Sequence, residues 1–156
     1  MLNYWLGVVS ADHVARGVQL GIAQVDHGKP GAFRRMLPGD GLVYYSPRTS
    51  LLDGLMLQAF TAVGRIADGD PWQADEGQFQ PWRRRVTYDD GAPVPLQALK
   101  PRLQLTQEKN WGYALRRGVI PLAEEDFILI HAAMLNVASG KPQPQSWKHP
   151  DQDSEG

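Results

Sequence analysis

Apolar residues fall in short blocks separated by polar, glycine- and proline-rich punctuation. Residues 4–9 (Tyr-Trp-Leu-Gly-Val-Val) are almost continuously apolar and rich in aromatic and β-branched types, which predicts a buried first strand. Ser10 then reads as the N-cap of a helix over 11–20, with Val14 and Val18 on one face. Residues 22–25 predict a second short strand, and Asp26-His27-Gly28-Lys29-Pro30-Gly31 a loop, because its glycines and proline break any periodic structure. One helical turn is expected over 33–37. A strand over 42–45 is expected to stop at Ser46-Pro47, with 48–54 as a loop. Residues 55–66 read as a long strand with Leu57, Ala59, Thr61 and Val63 on one side and Gln58, Phe60 and Ala62 on the other, forming a hairpin with its predecessor.

A polar loop is expected over 67–77 and a strand over 83–88, closed by Asp89-Asp90-Gly91. Pro93, Pro95 and Pro101 keep the next segment irregular apart from a helical turn within 94–99. Asn110-Trp111-Gly112-Tyr113 forms an aromatic turn, and Val119-Ile120 a closing strand. Residues 121–137 carry acids in the first turn and Phe127, Ile130, Met134 and Val137 at helical spacing, the marks of an amphipathic helix. His131 lies on or near its core side. Five or six strands with two flanking helices predict an α+β fold on a curved or barrel-like mixed sheet. One domain over 1–138 is expected, followed by a polar, proline-rich tail over 139–156 that is too hydrophilic to fold.

Composition narrows the function classes. The 156-residue chain is long enough to bury a core without staples. It has no cysteine, so disulfides and thiolate zinc sites are excluded, and its four histidines lack ligand spacing, so neither a metal nor a cofactor is expected. The N-terminus lacks a basic n-region and no apolar run is long enough to span a bilayer; a cytoplasmic protein without a membrane partner is expected. Net charge is −1, which argues against bulk electrostatic capture of nucleic acid. Its distribution is uneven. Between residues 83 and 117, Arg83, Arg84, Arg85, Lys100, Arg102, Lys109, Arg116 and Arg117 face only Asp89, Asp90 and Glu108, enough for a basic face.

The strongest chemical signal is Phe79-Gln80-Pro81-Trp82-Arg83-Arg84-Arg85, aromatic rings running into guanidinium groups. Rings stack on a nucleobase and arginine supplies forked donors for phosphate, although the same run suits a half-exposed strand edge. Alternation makes Arg83 the inward donor and sends Arg84 to the opposite face. The helix start at Ser10, Asp12 and His13 is a second candidate, for a phosphate or a polar base edge, or simply an ordinary cap. Asp26, His27 and Lys29 make a third. Trp82 and Trp111 stand out among the aromatics as possible walls of a base pocket, being next to Arg83 and near Arg116.

Tyr4-Trp5, Val8-Val9-Ser10 with His13-Val14, His27-Gly28-Lys29, Gly39-Asp40 before Tyr44-Tyr45-Ser46-Pro47, Phe60-Thr61-Ala62-Val63-Gly64, Pro81-Trp82-Arg83-Arg84 and Asn110-Trp111-Gly112 follow one another from residue 2 to 134 at a spacing that resembles the EVE domain family. The resemblance implies a PUA-like fold, related to the YTH domains that read methylated adenine and to the thymocyte nuclear protein family. It implies a non-catalytic pocket for a modified nucleobase in DNA or RNA, made by Ser10, His13, Val25, Asp26, His27, Lys29, Tyr45, Ser46, Phe79, Pro81, Trp82 and Arg83. Trp82 is expected to fill one wall of an aromatic cage. The 25–27 loop lacks the tryptophan that YTH domains place there, so Trp111 is the candidate for the missing wall. Arg48, Arg84 and Arg116 are the candidates for the phosphate backbone. A weak homodimer is also compatible with the sequence. The rival class is an enzyme acting on a nucleotide or small anion, with His13, Asp26 and His27 supplying acid-base chemistry.

Overall fold

The strand buried over the longest run, Gly41–Arg48, lies at the centre of the sheet, where both of its faces are covered. The computed structural model describes residues 1–25, 29–52 and 54–140. In chain order the elements are β1 (Tyr4–Val8), α1 (Ala11–Leu20), β2 (Ile22–Ala23), β3 (Gly41–Arg48), β4 (Met56–Ile66), β5 (Trp72–Gln73) and β6 (Trp82–Tyr88). They continue with β7 (Val94–Pro95), α2 (Leu96–Leu99), α3 (Trp111–Ala114), β8 (Val119–Pro121) and α4 (Glu124–Ala138). Strand order is β2-β6-β4-β3-β1-β8, with β5 added to β6 and β7 to β4. β1 and β3 are parallel and all other pairs antiparallel, which makes the sheet mixed.

Alternation along β3 divides the interior into two cores. Val43 and Tyr45 join Leu6, Phe60, Leu99, Ile130 and Met134 on the side covered by α4. Leu42 and Tyr44 join Trp5, Val14, Phe33, Met36 and Val86 on the side covered by α1. Each large apolar side chain buried in this way contributes about 1.5–3 kcal/mol. Asp40 ties the two ends of the β1–β3 pair together. It is 1% exposed, and its carboxylate accepts from the Trp5 indole Nε1 at 3.0 Å and from the backbone N–H groups of Asn3 at 3.1 Å and Leu37 at 3.0 Å.

Several sequence expectations need adjustment. β3 does not stop at Ser46-Pro47 but runs to Arg48, because Pro47 falls inside a register shift where no ladder N–H is required of it. A second shift passes from the Tyr44–Ala62 pair to the Tyr45–Phe60 pair and leaves Thr61 extra on β4. This bulge resets the alternation, so that Ala59 and Phe60 are both buried, as are Ala62 and Val63. The supposed loop over 67–77 contains β5, paired to β6. Pro121 belongs to β8 opposite Trp5 rather than to the last helix, which starts at Glu124. His131 stacks on Phe127 at 5.6 Å and its Nε2 lies 2.9 Å from Asp89. The tail over 141–156 lies outside the described residues. Among the described residues no helix is long and apolar enough to cross a membrane.

Candidate functional site

Two adjoining clefts open where β1 ends and α1 begins. The larger, about 400 Å³, has an apolar wall of Val8, Val9 and Val25 and polar groups from Ser10, His13 and Gln24. Pro47, Arg48 and Leu51 line it from the end of β3 and the loop beyond. The smaller, about 220 Å³, runs over Val14, Ile22 and Tyr44, with Arg16, Glu76 and Arg83 at its charged side. Val9, His13, Gln24 and Phe79 line both.

Local chemistry explains each placement. Ser10 has the extended backbone of an N-cap, φ −60 and ψ 150, but its hydroxyl donates to Asp12 Oδ1 at 2.7 Å instead of capping a helix N–H. Asp12 Oδ1 also accepts from the His13 N–H at 2.8 Å, while the Asp12 N–H donates to the Thr49 carbonyl at 2.9 Å. The Ser10 hydroxyl is the main reason the Asp12 carboxyl is held below its usual range. The helix start is therefore already supplied with acceptors and a negative charge. His13 and Arg16, three residues apart on α1, share a face toward the clefts.

A tight hairpin brings Phe79 to the mouth of both clefts. The Ala74 N–H donates to the Pro81 carbonyl at 2.8 Å and the Glu76 N–H to the Phe79 carbonyl at 2.9 Å. The turn closes at Gly77, whose φ of 78° suits glycine, and whose N–H donates to Asp75 Oδ1 at 3.1 Å. Arg83 anchors this hairpin to the body: its Nε donates to Gln24 Oε1 at 3.0 Å and its Nη2 to Glu76 Oε1. Arg16 Nη2 donates to the same Glu76 oxygen at 3.0 Å. The Arg83 hydrogen bond is the main cause that holds the Glu76 carboxyl below its usual range. Beneath the smaller cleft, burial pushes the Tyr44 phenol up to about 12 and raises the Tyr88 phenol as well, so both stay neutral at ordinary pH. The Tyr88 hydroxyl donates to the Ile22 carbonyl at 2.8 Å.

Residues 3–133 match the EVE domain family. This chain belongs to that family. A UPF0310 protein of Renibacterium salmoninarum is 60% identical over 139 residues, covering 89% of this chain and 100% of that relative. Among solved structures, Rpa0253 of Rhodopseudomonas palustris superposes with a TM-score of 0.55 at 17% identity, covering 85% of this chain and 93% of that one. The human THYN1 protein, solved in complex with 5-methylcytosine containing DNA, gives 0.50 at 12% identity over 91% of this chain and 99% of its own. The α+β, PUA-like architecture expected from the sequence is the one observed.

Within this EVE domain the expected site residues separate into groups. Ser10, His13, Val25, Phe79, Arg83 and Arg48 line one or both clefts. Trp82 does not. Adjacent residues of a strand point to opposite faces, so with Arg83 toward Gln24, Trp82 packs half-buried on the core that holds Val86. Trp111 lies against the other core under the Lys100 ammonium, 5.6 Å from its ring, and so supplies no second wall to the clefts. Tyr45 is buried in that same core against Phe60. Ser46 is fully buried and paired with the Thr61 hydroxyl at 2.7 Å. Pro81 is buried and Lys29 exposed. Arg84 faces inward from β6 with its Nε unpartnered, and Arg116 lies over the Tyr113 ring at 5.7 Å; neither lines a cleft. Asp26 and His27 lie outside the described residues, so the acid-base set of the rival reading is represented only by His13. Sequence reasoning missed Arg16, Gln24 and Glu76. The helical i, i+3 relation of Arg16 to His13 was the available signal for Arg16.

Proposed function

We propose that this EVE domain holds a modified nucleobase of DNA or RNA in the larger cleft and catalyses no reaction on it. The observation that carries the reading is the cleft's make-up: valine walls, the hydroxyl, imidazole and amide of Ser10, His13 and Gln24, and the Phe79 ring at the mouth. An apolar wall gains by burying a methyl group, a ring gains by stacking on the base, and the polar groups read its hydrogen-bonding edge. The same fold in THYN1 was solved with 5-methylcytosine containing DNA, which favours a base of that kind extracted from its strand. In this reading the aromatic contribution comes from Phe79 rather than from a pair of tryptophans.

The test is a titration of fluorescent oligonucleotides of one sequence carrying cytosine, 5-methylcytosine, adenine or N6-methyladenine, as DNA and as RNA. One modified form should bind at least about tenfold more tightly than its unmodified counterpart, the size of a single good stacking or methyl contact. Affinities that do not distinguish modified from unmodified strands across the panel would refute a base-reading function. Nucleoside mass spectrometry of nucleic acid co-purified with the protein identifies the base from the other direction.

A further inference from the structure

Arg16, Arg83 and Glu76 stand together at the charged side of the smaller cleft. Two guanidinium groups, one from the second turn of α1 and one from β6, converge on a single oxygen, Glu76 Oε1. A lone oxygen bridging two arginines is the arrangement that a phosphate oxygen takes between paired guanidinium groups. Arg83 is well anchored for such a role, with its side chain 15% exposed and its Nε fixed on Gln24 Oε1. Arg16 is the more open of the two, its side chain being 66% exposed. Glu76 rides on a hairpin that is attached to the body chiefly through β5–β6 pairing and through these contacts.

We propose that Arg16 and Arg83 form a binding site for one phosphate of the nucleic-acid backbone, and that the Glu76 carboxylate occupies it in the free protein until that phosphate displaces it. The inference rests on the reading of the larger cleft as a base pocket and adds the position of the neighbouring phosphate. Val9, His13, Gln24 and Phe79 line both clefts, so a base in the larger and a phosphate at the arginines are adjacent parts of one nucleotide strand. The helix start does not compete for the phosphate, because Asp12 puts a carboxylate there and the Asp12 and His13 N–H groups are already used. Glu76 thus tempers nonspecific binding. With the carboxylate in place the cluster carries one net positive charge, and once it is displaced the two arginines alone present two. A strand that contributes only its phosphates must compete with the carboxylate, whereas one that also fills the base cleft has binding energy to spare for the exchange.

The test compares wild type, Glu76→Gln and Arg16→Ala. Gln keeps the size of Glu76 and can still accept from the arginines, and matched thermal melts confirm that the hairpin is retained. Glu76→Gln should tighten cytosine and 5-methylcytosine oligonucleotides by the same factor, about fivefold, and steepen the log–log salt dependence by about one unit, as one more uncompensated cation predicts. Arg16→Ala should weaken both by about fivefold and flatten the slope by the same amount. In a second arm, inorganic phosphate is titrated while the arginine Nε–H resonances are followed by NMR. Saturable shifts at Arg16 and Arg83 are expected, at lower phosphate concentration in Glu76→Gln. If the Glu76 and Arg16 effects appear without preference for the methylated base, the base-reading function fails and this inference stands. If the preference is intact while both variants bind oligonucleotide and phosphate as wild type does, this inference fails alone. Should neither oligonucleotide bind, the phosphate arm decides, and unmoved Arg16 and Arg83 resonances in Glu76→Gln overturn it.

Discussion

At the scale of single residues, the two aromatic rings of the 79–82 run are placed differently. Phe79 is 46% exposed on a hairpin, so little of its ring contributes to folding. Phe79→Ala should cost less than about 1 kcal/mol of stability, within the usual range for exposed positions, yet lower oligonucleotide affinity about tenfold by removing a stacking face. Trp82 packs on the core around Val86, and Trp82→Ala should lose about 2 kcal/mol of stability with a smaller change in affinity. Urea denaturation and anisotropy on the two variants read this contrast, and the reverse pattern would return the base-facing role to Trp82. The sequence revealed the run from Phe79 to Arg83 but not which ring lines the clefts, because that depends on pleat parity and on the hairpin at Gly77. Asp40 was likewise invisible as a structural centre. Its three donors come from Asn3, Trp5 and Leu37, and only the folded chain brings them together.

At the scale of elements, the strands were legible wherever one apolar period ran unbroken. β1, the body of β3, β6, α1 and α4 follow from alternation, β-branched content and helical spacing. β4 was legible as a strand but not in its facing, because the extra residue at Thr61 shifts register part-way along. Tyr45 and Ser46 were expected in the pocket from the family resemblance, and a strand buried on both faces gives no parity signal that would have corrected it. Pairing of β4 with β6 also depends on one close approach. A Cβ added at Gly64 would lie 2.4 Å from the Thr87 carbonyl oxygen and 2.9 Å from Tyr88 Cα, both backbone atoms of β6. Gly64→Ala must push β4 and β6 apart and should destabilise the domain by about 3 kcal/mol, with chemical denaturation as the measure. A change under 0.5 kcal/mol, the size expected of a neutral surface position, would show that the two strands yield without loss.

At the scale of the whole molecule, the buried Tyr44 and partly buried Tyr88 phenols beneath the smaller cleft couple folding to alkaline pH. Tyr44 has a raised pKa of about 12 against an ordinary 10.0, and burial raises Tyr88 as well. In the unfolded chain both lose their protons near the ordinary value, while the folded domain retains them. Above pH 10 the unfolded state therefore binds fewer protons, and stability must fall as pH rises. The contribution is complete below pH 10 and is lost through about 12 for Tyr44. Urea midpoints should be level from pH 8 to about 10 and decline above it, less steeply in Tyr44→Phe. An equal decline in that variant would remove Tyr44 from the effect.

The parallel pairing of β1 with β3 sets where the chain is able to vary. Both strands run toward the clefts, delivering Val8 and Val9 from one and Pro47 and Arg48 from the other. Their opposite ends are fastened by Asp40, and their middles are locked between two cores. Much of the cleft lining is thus hung on connections leaving the carboxyl ends of a fixed pair, together with one hairpin held through Glu76. Lengthening or recolouring those connections should therefore reshape the clefts while the interior need not be renegotiated each time.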